Sequence, residues 1–186
     1  NLSLLELIFA AVTAKELGAT SVELVVPYLA YMRQDKRFHH GESLSSKIVM
    51  RMLDVGDRII TIDPHLHRYH SLLQVFKEKS TVLSAAPLLG EYIKKHIPRA
   101  LVIGPDAESC QWVDKITAVS GSPSIVLKKK RYSSTDVRIV VPKDVEVSRR
   151  PVAIVDDIIS SGHTMLEVVK EMKKRAYYEK PSVKRK

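Results

Sequence analysis

The chain has 186 residues, one cysteine, 45% hydrophobic and 27% charged residues, and a formal net charge of +9. That mixture is globular rather than disordered or collagen-like. Lone Cys110 excludes an internal disulfide and fits a reducing, cytoplasmic compartment, and no apolar run approaches the ~20 residues that span a bilayer.

The first residues open almost directly onto a helix. Ser3-Leu-Leu-Glu6 has the form of a capping box, and Leu4, Leu5, Ile8, Val12 and Leu17 carry helical spacing up to a stop at Gly18. A strand is expected over 21–26, closed by Pro27, which cannot continue a central ladder. A long polar connection over 31–42 leads to a helix starting near Ser43, with Ile48, Val49 and Met52 inward and Gly56 past its end. Residues 58–63 read as a second strand that finishes in the polar cluster Asp63-Pro-His-Leu-His-Arg68. Lys77-Glu-Lys-Ser-Thr81 then interrupts the apolar pattern and marks a domain boundary.

Beyond it a helix is expected over 87–96, and a strand over 100–103 with Gly104-Pro-Asp106 at its tip. The next helix, over 108–119, spaces Trp112, Val113, Ile116 and Val119 for one buried face. Two strands, 124–127 and 137–141, are joined by a cationic connection, Lys128–Arg131. The last strand, 152–155, delivers the adjacent carboxylates Asp156 and Asp157 into a hydroxyl-rich turn containing Gly162. A helix over 165–175 follows, carrying Met165, Leu166, Val168, Val169 and Met172. Residues 170–186 hold eight Lys or Arg against two Glu, which reads as a solvated tail. No aromatic-interleaved basic face accompanies it to make nucleic acid a partner.

Strands alternating with helices predict an α/β protein of mostly parallel sheets with flanking helices. The domains are expected over 1–80 and 81–175, with a basic tail over 176–186. Arg33-Gln34-Asp35-Lys36, Asp63 with His65, Asp106, and Asp156 with Asp157 each follow a strand. In a parallel sheet such ends share the edge where ligands bind, so the four clusters can converge. Taken singly, Asp106 is a helix N-cap, His65 a hydrogen-bonded surface histidine and Arg33 half of an ion pair. The acidic pair suits hydroxyls or a cation. The turn running into a helix N-terminus suits a phosphate, through free N–H groups and the positive end of the dipole.

Val152-Ala-Ile-Val-Asp-Asp-Ile-Ile-Ser-Ser-Gly-His-Thr164 resembles the phosphoribosyl-pyrophosphate motif of type I phosphoribosyltransferase folds. Val26-Pro-Tyr-Leu-Ala-Tyr-Met-Arg-Gln-Asp-Lys36 is similar to a signature of the ribose-phosphate pyrophosphokinase family, which makes phosphoribosyl pyrophosphate. Ile62-Asp-Pro-His65 and Gly104-Pro-Asp-Ala107 match that family's metal-site segments, and Leu127-Lys-Lys-Lys-Arg131 its catalytic flexible loop. The resemblance implies two phosphoribosyltransferase-like domains and transfer of pyrophosphate from Mg-ATP to ribose 5-phosphate, with Mg²⁺ as cofactor. It implies ATP contacts at Arg33, Gln34, Asp35, Lys36 and His65, and metal-side positions at His65 and Asp106. Lys129 and Arg131 become the catalytic cations. Asp156, Asp157, Ser160, Ser161, Gly162, His163 and Thr164 become the ribose 5-phosphate site.

Three positions depart from the family pattern. Ser160 stands where an acidic residue is common, as in an archaeal-type branch. His163 stands where Gly or Cys is common, and Ala107-Glu-Ser109 replaces Ala-Gly-Gly. The match also leaves the chain resembling the middle of the enzyme, with each domain incomplete. A homo-oligomer, or pairing with a full-length homologue, is therefore expected. Two alternatives remain at this point: a non-catalytic relative acting as a regulatory or binding subunit, and a base phosphoribosyltransferase, against which the Arg-Gln-Asp segment weighs.

Overall fold

A computed structural model describes residues 2–37, 39–69, 71–74, 76, 79–131, 137–142 and 150–177. The chain divides into two compact units, Asn1–Ala85 and Ala86–Lys186.

The first unit contains α1 (Leu2–Glu16), β1 (Glu23–Val25), α2 (Ser45–Leu53), β2 (Arg58–Ile62) and β3 (Lys79–Leu83). The strands form one parallel sheet in the order β1-β2-β3. The segment around residue 79, where the apolar pattern breaks off, is therefore a strand. Lys79, Val82 and Leu83 are exposed, and a strand with little buried surface leaves no alternating signature in the sequence.

Helix α2 packs through Ser46, Val49, Met50 and Leu53, one stripe at i, i+3, i+4 and i+7. Ile48 and Met52, expected inward, are exposed. Polar Ser46 takes a buried place because its hydroxyl meets Tyr69 Oη at 2.9 Å. The core gathers Leu24, Leu29, Met32, Ile59, Leu72 and Phe76 around that stripe. Gly56 lets Leu24 close over the end of α2: an added Cβ would sit 2.5 Å from Leu24 Cγ.

Helix α1 begins at Leu2, so Ser3 lies inside the first turn and the expected capping box does not form. Among the described residues α1 buries only Ala11, with Leu4 and Leu7 partly covered, while Leu2, Leu5, Phe9 and Val12 remain exposed. A helix with apolar residues all round meets a single neighbouring core through one narrow side. Asp57 ties its end down, accepting from Val22 N at 2.8 Å and from Lys15 Nζ at 3.0 Å. Those bonds, the backbone one foremost, hold the Asp57 carboxyl below its ordinary range.

The second unit contains α3 (Ala86–His96), β4 (Leu101–Gly104), α4 (Cys110–Ser120), β5 (Ser124–Val126), β6 (Lys128–Arg131), β7 (Val137–Val140), β8 (Val152–Ile154) and α5 (His163–Tyr177). Its parallel sheet runs β5-β4-β8, and β6 with β7 forms a separate antiparallel ribbon. The cationic segment expected as a connection is thus itself a strand, made regular by register with β7.

Residues on β4 alternate between two cores, as a strand covered on both faces must. Ala100 and Val102 pack with Ala86 and Ile93 of α3 and with Trp112, Val113 and Ile116 of α4. Leu101 and Ile103 pack with Val168 and Met172 of α5 and with Leu127, Ile139 and Val141. Leu166 and Val169, included in the amphipathic pattern of this helix, are exposed at 50% and 36%. Gly90 brings α3 and α4 together, since a Cβ there would lie 2.7 Å from Ile116 O and 2.8 Å from Val119 Cβ. Of the expected tail, Ala176 and Tyr177 extend α5, and residues 178–186 fall outside the described residues.

Candidate functional site

The polar clusters sort into two groups, one at each parallel sheet, rather than onto a single sheet edge. In the first unit the pairing with β2 continues past the end of β1. Val26 N donates to Ile60 O at 2.8 Å and Ile62 N to Pro27 O at 3.1 Å. The loops leaving the two strands therefore start from neighbouring points at their carboxyl ends.

Tyr31, at φ +66°, turns the first loop, and Gln34 N donates to its carbonyl at 3.2 Å. Gln34 is engaged within the fold. Its Nε2 donates to Ser43 O at 3.2 Å, and its Oε1 accepts from Ser45 Oγ at 3.0 Å. Its carbonyl takes Ser46 N at 3.4 Å, so this residue secures the first turn of α2, where Leu44 offers no side-chain cap. Arg33 and Lys36 are exposed. Asp35 reaches the second loop, its Oδ1 3.3 Å from Arg68 Nε.

His65 is only 8% exposed, and its ring centroid lies 6.3 Å from that of His67. Asp63, at φ +40°, occupies a backbone region that non-glycine residues seldom adopt. Its carboxylate accepts from Ser84 Oγ and Ala85 N, both at 2.7 Å, and its own N–H donates to Leu83 O at 2.9 Å. Three hydrogen bonds hold the turn that carries His65. Sequence reasoning gave Asp63 no such role, because Ser84 and Ala85 come close only once β3 pairs with β2.

In the second unit the strand ends again emerge side by side. Leu127 N donates to Gly104 O at 2.8 Å and Val155 N to Ile103 O at 2.9 Å. Asp106 stands just past β4, and Asp156 and Asp157 just past β8. Asp106 caps the short 3-10 turn Ala107–Ser109: its Oδ1 accepts from Glu108 N at 3.2 Å and its carbonyl from Ser109 Oγ at 2.5 Å. Gly104 is needed beneath it, because a Cβ there would collide with Ser109 Oγ and come within 2.9 Å of Val113 Cγ2.

Asp157 N donates to Asp156 Oδ1 at 3.0 Å. Burial, with the Asp157 and Asp106 carboxylates close by, pushes the Asp156 carboxyl up to about 6. Gly162 adopts φ +73° and its carbonyl accepts from Leu166 N at 2.8 Å, so the α5 ladder begins there. His163 N donates to Ser161 Oγ at 3.4 Å. Ser160, Ser161 and His163 are exposed, and Thr164 is partly covered. A helix start with small residues ahead of it thus stands beside three carboxylates.

Lys129 and Arg131 pair in register with Ile139 and Val137, and their side chains fall outside the described residues. Among the described residues no group of three or more His, Cys, Asp or Glu side chains is arranged to hold a metal ion. No described helix is long and apolar enough to cross a membrane.

Residues 1–56 match the family profile for the N-terminal domain of ribose phosphate pyrophosphokinase, and residues 72–179 match that for the phosphoribosyl transferase domain. The chain belongs to the ribose-phosphate pyrophosphokinase family. The ribose-phosphate pyrophosphokinase of Methanopyrus kandleri is 35% identical over 174 residues, which cover 92% of this chain and 58% of that protein. Ribose-phosphate pyrophosphokinase 2 of Archaeoglobus fulgidus is 37% identical over 171 residues, 91% of this chain and 59% of that one. The crystal structure of phosphoribosylpyrophosphate synthetase from Mycobacterium smegmatis shares the fold, with a TM-score of 0.76 at 24% identity, over 92% of this chain and 56% of that one. The chain therefore spans a little over half the length of the pyrophosphokinases it matches. Its α/β architecture of parallel sheets and flanking helices is that of the family.

Proposed function

We propose that the chain carries the catalytic residues of a ribose-phosphate pyrophosphokinase, transferring pyrophosphate from Mg-ATP to ribose 5-phosphate. The observation that carries this reading is the second unit's strand edge, where the Asp156–Asp157 pair stands beside a hydroxyl-rich turn that enters α5. Two acceptor carboxylates suit a sugar diol, and the helix start suits a phosphate on the same sugar.

In the proposed reaction the anomeric oxygen of ribose 5-phosphate bonds to the β-phosphorus of ATP. The bond from the β-phosphorus to the α,β-bridging oxygen breaks, AMP leaves with that oxygen, and the hydroxyl proton passes to solvent. Such transfers depend on positioning and on neutralising charge. Asp156 and Asp157 accept from the ribose hydroxyls. Ser160, Ser161, Gly162, His163 and Thr164 hold the 5-phosphate. Arg33, Gln34, Asp35, Lys36 and His65 serve ATP, with Gln34 acting partly by bracing the loop. Lys129 and Arg131 stabilise charge on the departing AMP.

Magnesium, when bound, supplies further positive charge on the polyphosphate. His65 in the first unit and Asp106 in the second are each proposed to serve magnesium, directly or through water. This sparse donor set fits a cation that keeps waters and substrate phosphates as ligands and needs no all-protein cage. The exposed apolar residues of α1 support a homo-oligomer or pairing with a full-length homologue, and lone Cys110 supports the cytoplasm.

The test is incubation of the chain with Mg-ATP and ribose 5-phosphate, following AMP and phosphoribosyl pyrophosphate. Both products should form together, and Asp156→Asn with Asp157→Asn should weaken ribose 5-phosphate use at least tenfold more than ATP binding, roughly the loss of one charge-assisted contact. Binding of either substrate without products would leave the regulatory-subunit reading in place of catalysis. Nucleotide formed from a free base and phosphoribosyl pyrophosphate would replace both.

A further inference from the structure

In the first unit one ion pair joins the loops that follow β1 and β2, and its two members are unequally satisfied. The Asp35 side chain is 5% exposed; Oδ1 meets Arg68 Nε, while buried Oδ2 has no hydrogen-bond partner among the described residues. Buried carboxylate oxygens are seldom left that way, because an unmet acceptor costs its hydration without return. The Arg68 side chain is 43% exposed, and of its five N–H donors only the one on Nε is matched to a described carboxylate. A buried anion thus holds the stem side of a guanidinium whose remaining face is open to a ligand.

We propose that Arg68 is a nucleotide-binding residue that contacts the polyphosphate, held in place by Asp35. A nucleotide satisfies the exposed half of the pair: its phosphates accept from the guanidinium fork, for which arginine is suited by its planar donors. Arg68 also stands in the same loop as His65 and opposite the loop of Arg33 and Lys36. It adds a cation to the strand edge at which a polyanionic ligand is proposed to bind. The proposal rests on the nucleotide reading of the first unit.

Calorimetric titration of the full chain and its variants with Mg-ATP and with adenosine tests it. Arg68→Ala should lower Mg-ATP affinity about tenfold, the scale of one charge-assisted hydrogen bond, and leave adenosine affinity unchanged. Arg68→Lys, which keeps the charge without the fork, should recover part of the loss. Should Arg68→Ala fail to fold, Arg68→Gln keeps a hydrogen-bonding stem without charge and is read by the same two titrations. Equal losses for ATP and adenosine would reveal a merely structural residue and overturn the proposal, as would unchanged ATP affinity. Failure of the unsubstituted chain to bind Mg-ATP would remove the nucleotide reading itself, and this inference with it.

Discussion

Asp156 is the residue whose chemistry depends most on its surroundings. Its carboxyl rises from an ordinary 3.8 to about 6, by burial first and then by the Asp157 and Asp106 charges. Between those values the folded chain holds more of a proton than the unfolded chain, so this group makes stability fall as pH rises. At neutral pH the ionised group therefore opposes folding, by an amount that solvent screening of this partly exposed carboxylate reduces. Asp156→Asn should therefore raise the melting temperature at neutral pH and flatten the stability profile between roughly pH 4 and 6. Thermal melts across that range check it, and an unchanged profile would count against this account. The same substitution removes an acceptor from the proposed sugar site, so ligand affinity and stability should move in opposite directions. The position of this pair was legible, because an apolar β-branched run ending in Asp-Asp and a small-residue turn carries its own context. Arg68 stands in the polar cluster that follows β2, yet its place depends on Asp35, which lies in a loop far away in sequence.

Among the elements, the α3–α4 contact is the most sharply constrained by a single position. Gly90→Val inserts atoms against Ile116 O and Val119, where neither backbone nor helix can yield cheaply. Overpacking of this kind costs typically about 1–3 kcal/mol, which urea unfolding should report as a lower midpoint with little change in slope. Buried helices and strands were readable because their periodicity follows directly from what they cover. β3 was missed because so little of it is covered, and β6 because four consecutive cations resemble a solvated connection. Of the residues expected inward on α2, Val49 is buried while Ile48 and Met52 are exposed, for a related reason. Hydrophobicity ranks Ile48 and Met52 above Ser46, but a hydrogen bond to Tyr69 makes the serine the better buried neighbour.

At the scale of the whole molecule, each unit has its own core and its own polar strand edge. Two unfolding transitions are therefore expected in calorimetry, with a ligand raising the one whose unit it binds. Ribose 5-phosphate at a hundredfold excess over its dissociation constant should stabilise the second unit by about 2.7 kcal/mol, and Mg-ATP should act on the first. A single transition moved equally by both ligands would contradict the assignment of one substrate to each unit. The mostly parallel architecture was evident from alternating strands and helices. The division of the four polar clusters between two sheets does not show in periodicity, and only the expected domain ranges 1–80 and 81–175 implied it.

The pairing of β8 bears on the order in which the chain folds. Its described partner is β4, an element much earlier in the sequence. Closing that distance costs loop entropy that only the finished packing offsets, and such non-local parallel pairing is intrinsically slow. The turn leading into α5 hangs from β8 and cannot be held before it. The turn proposed to hold the sugar phosphate is therefore expected to become ordered late in folding.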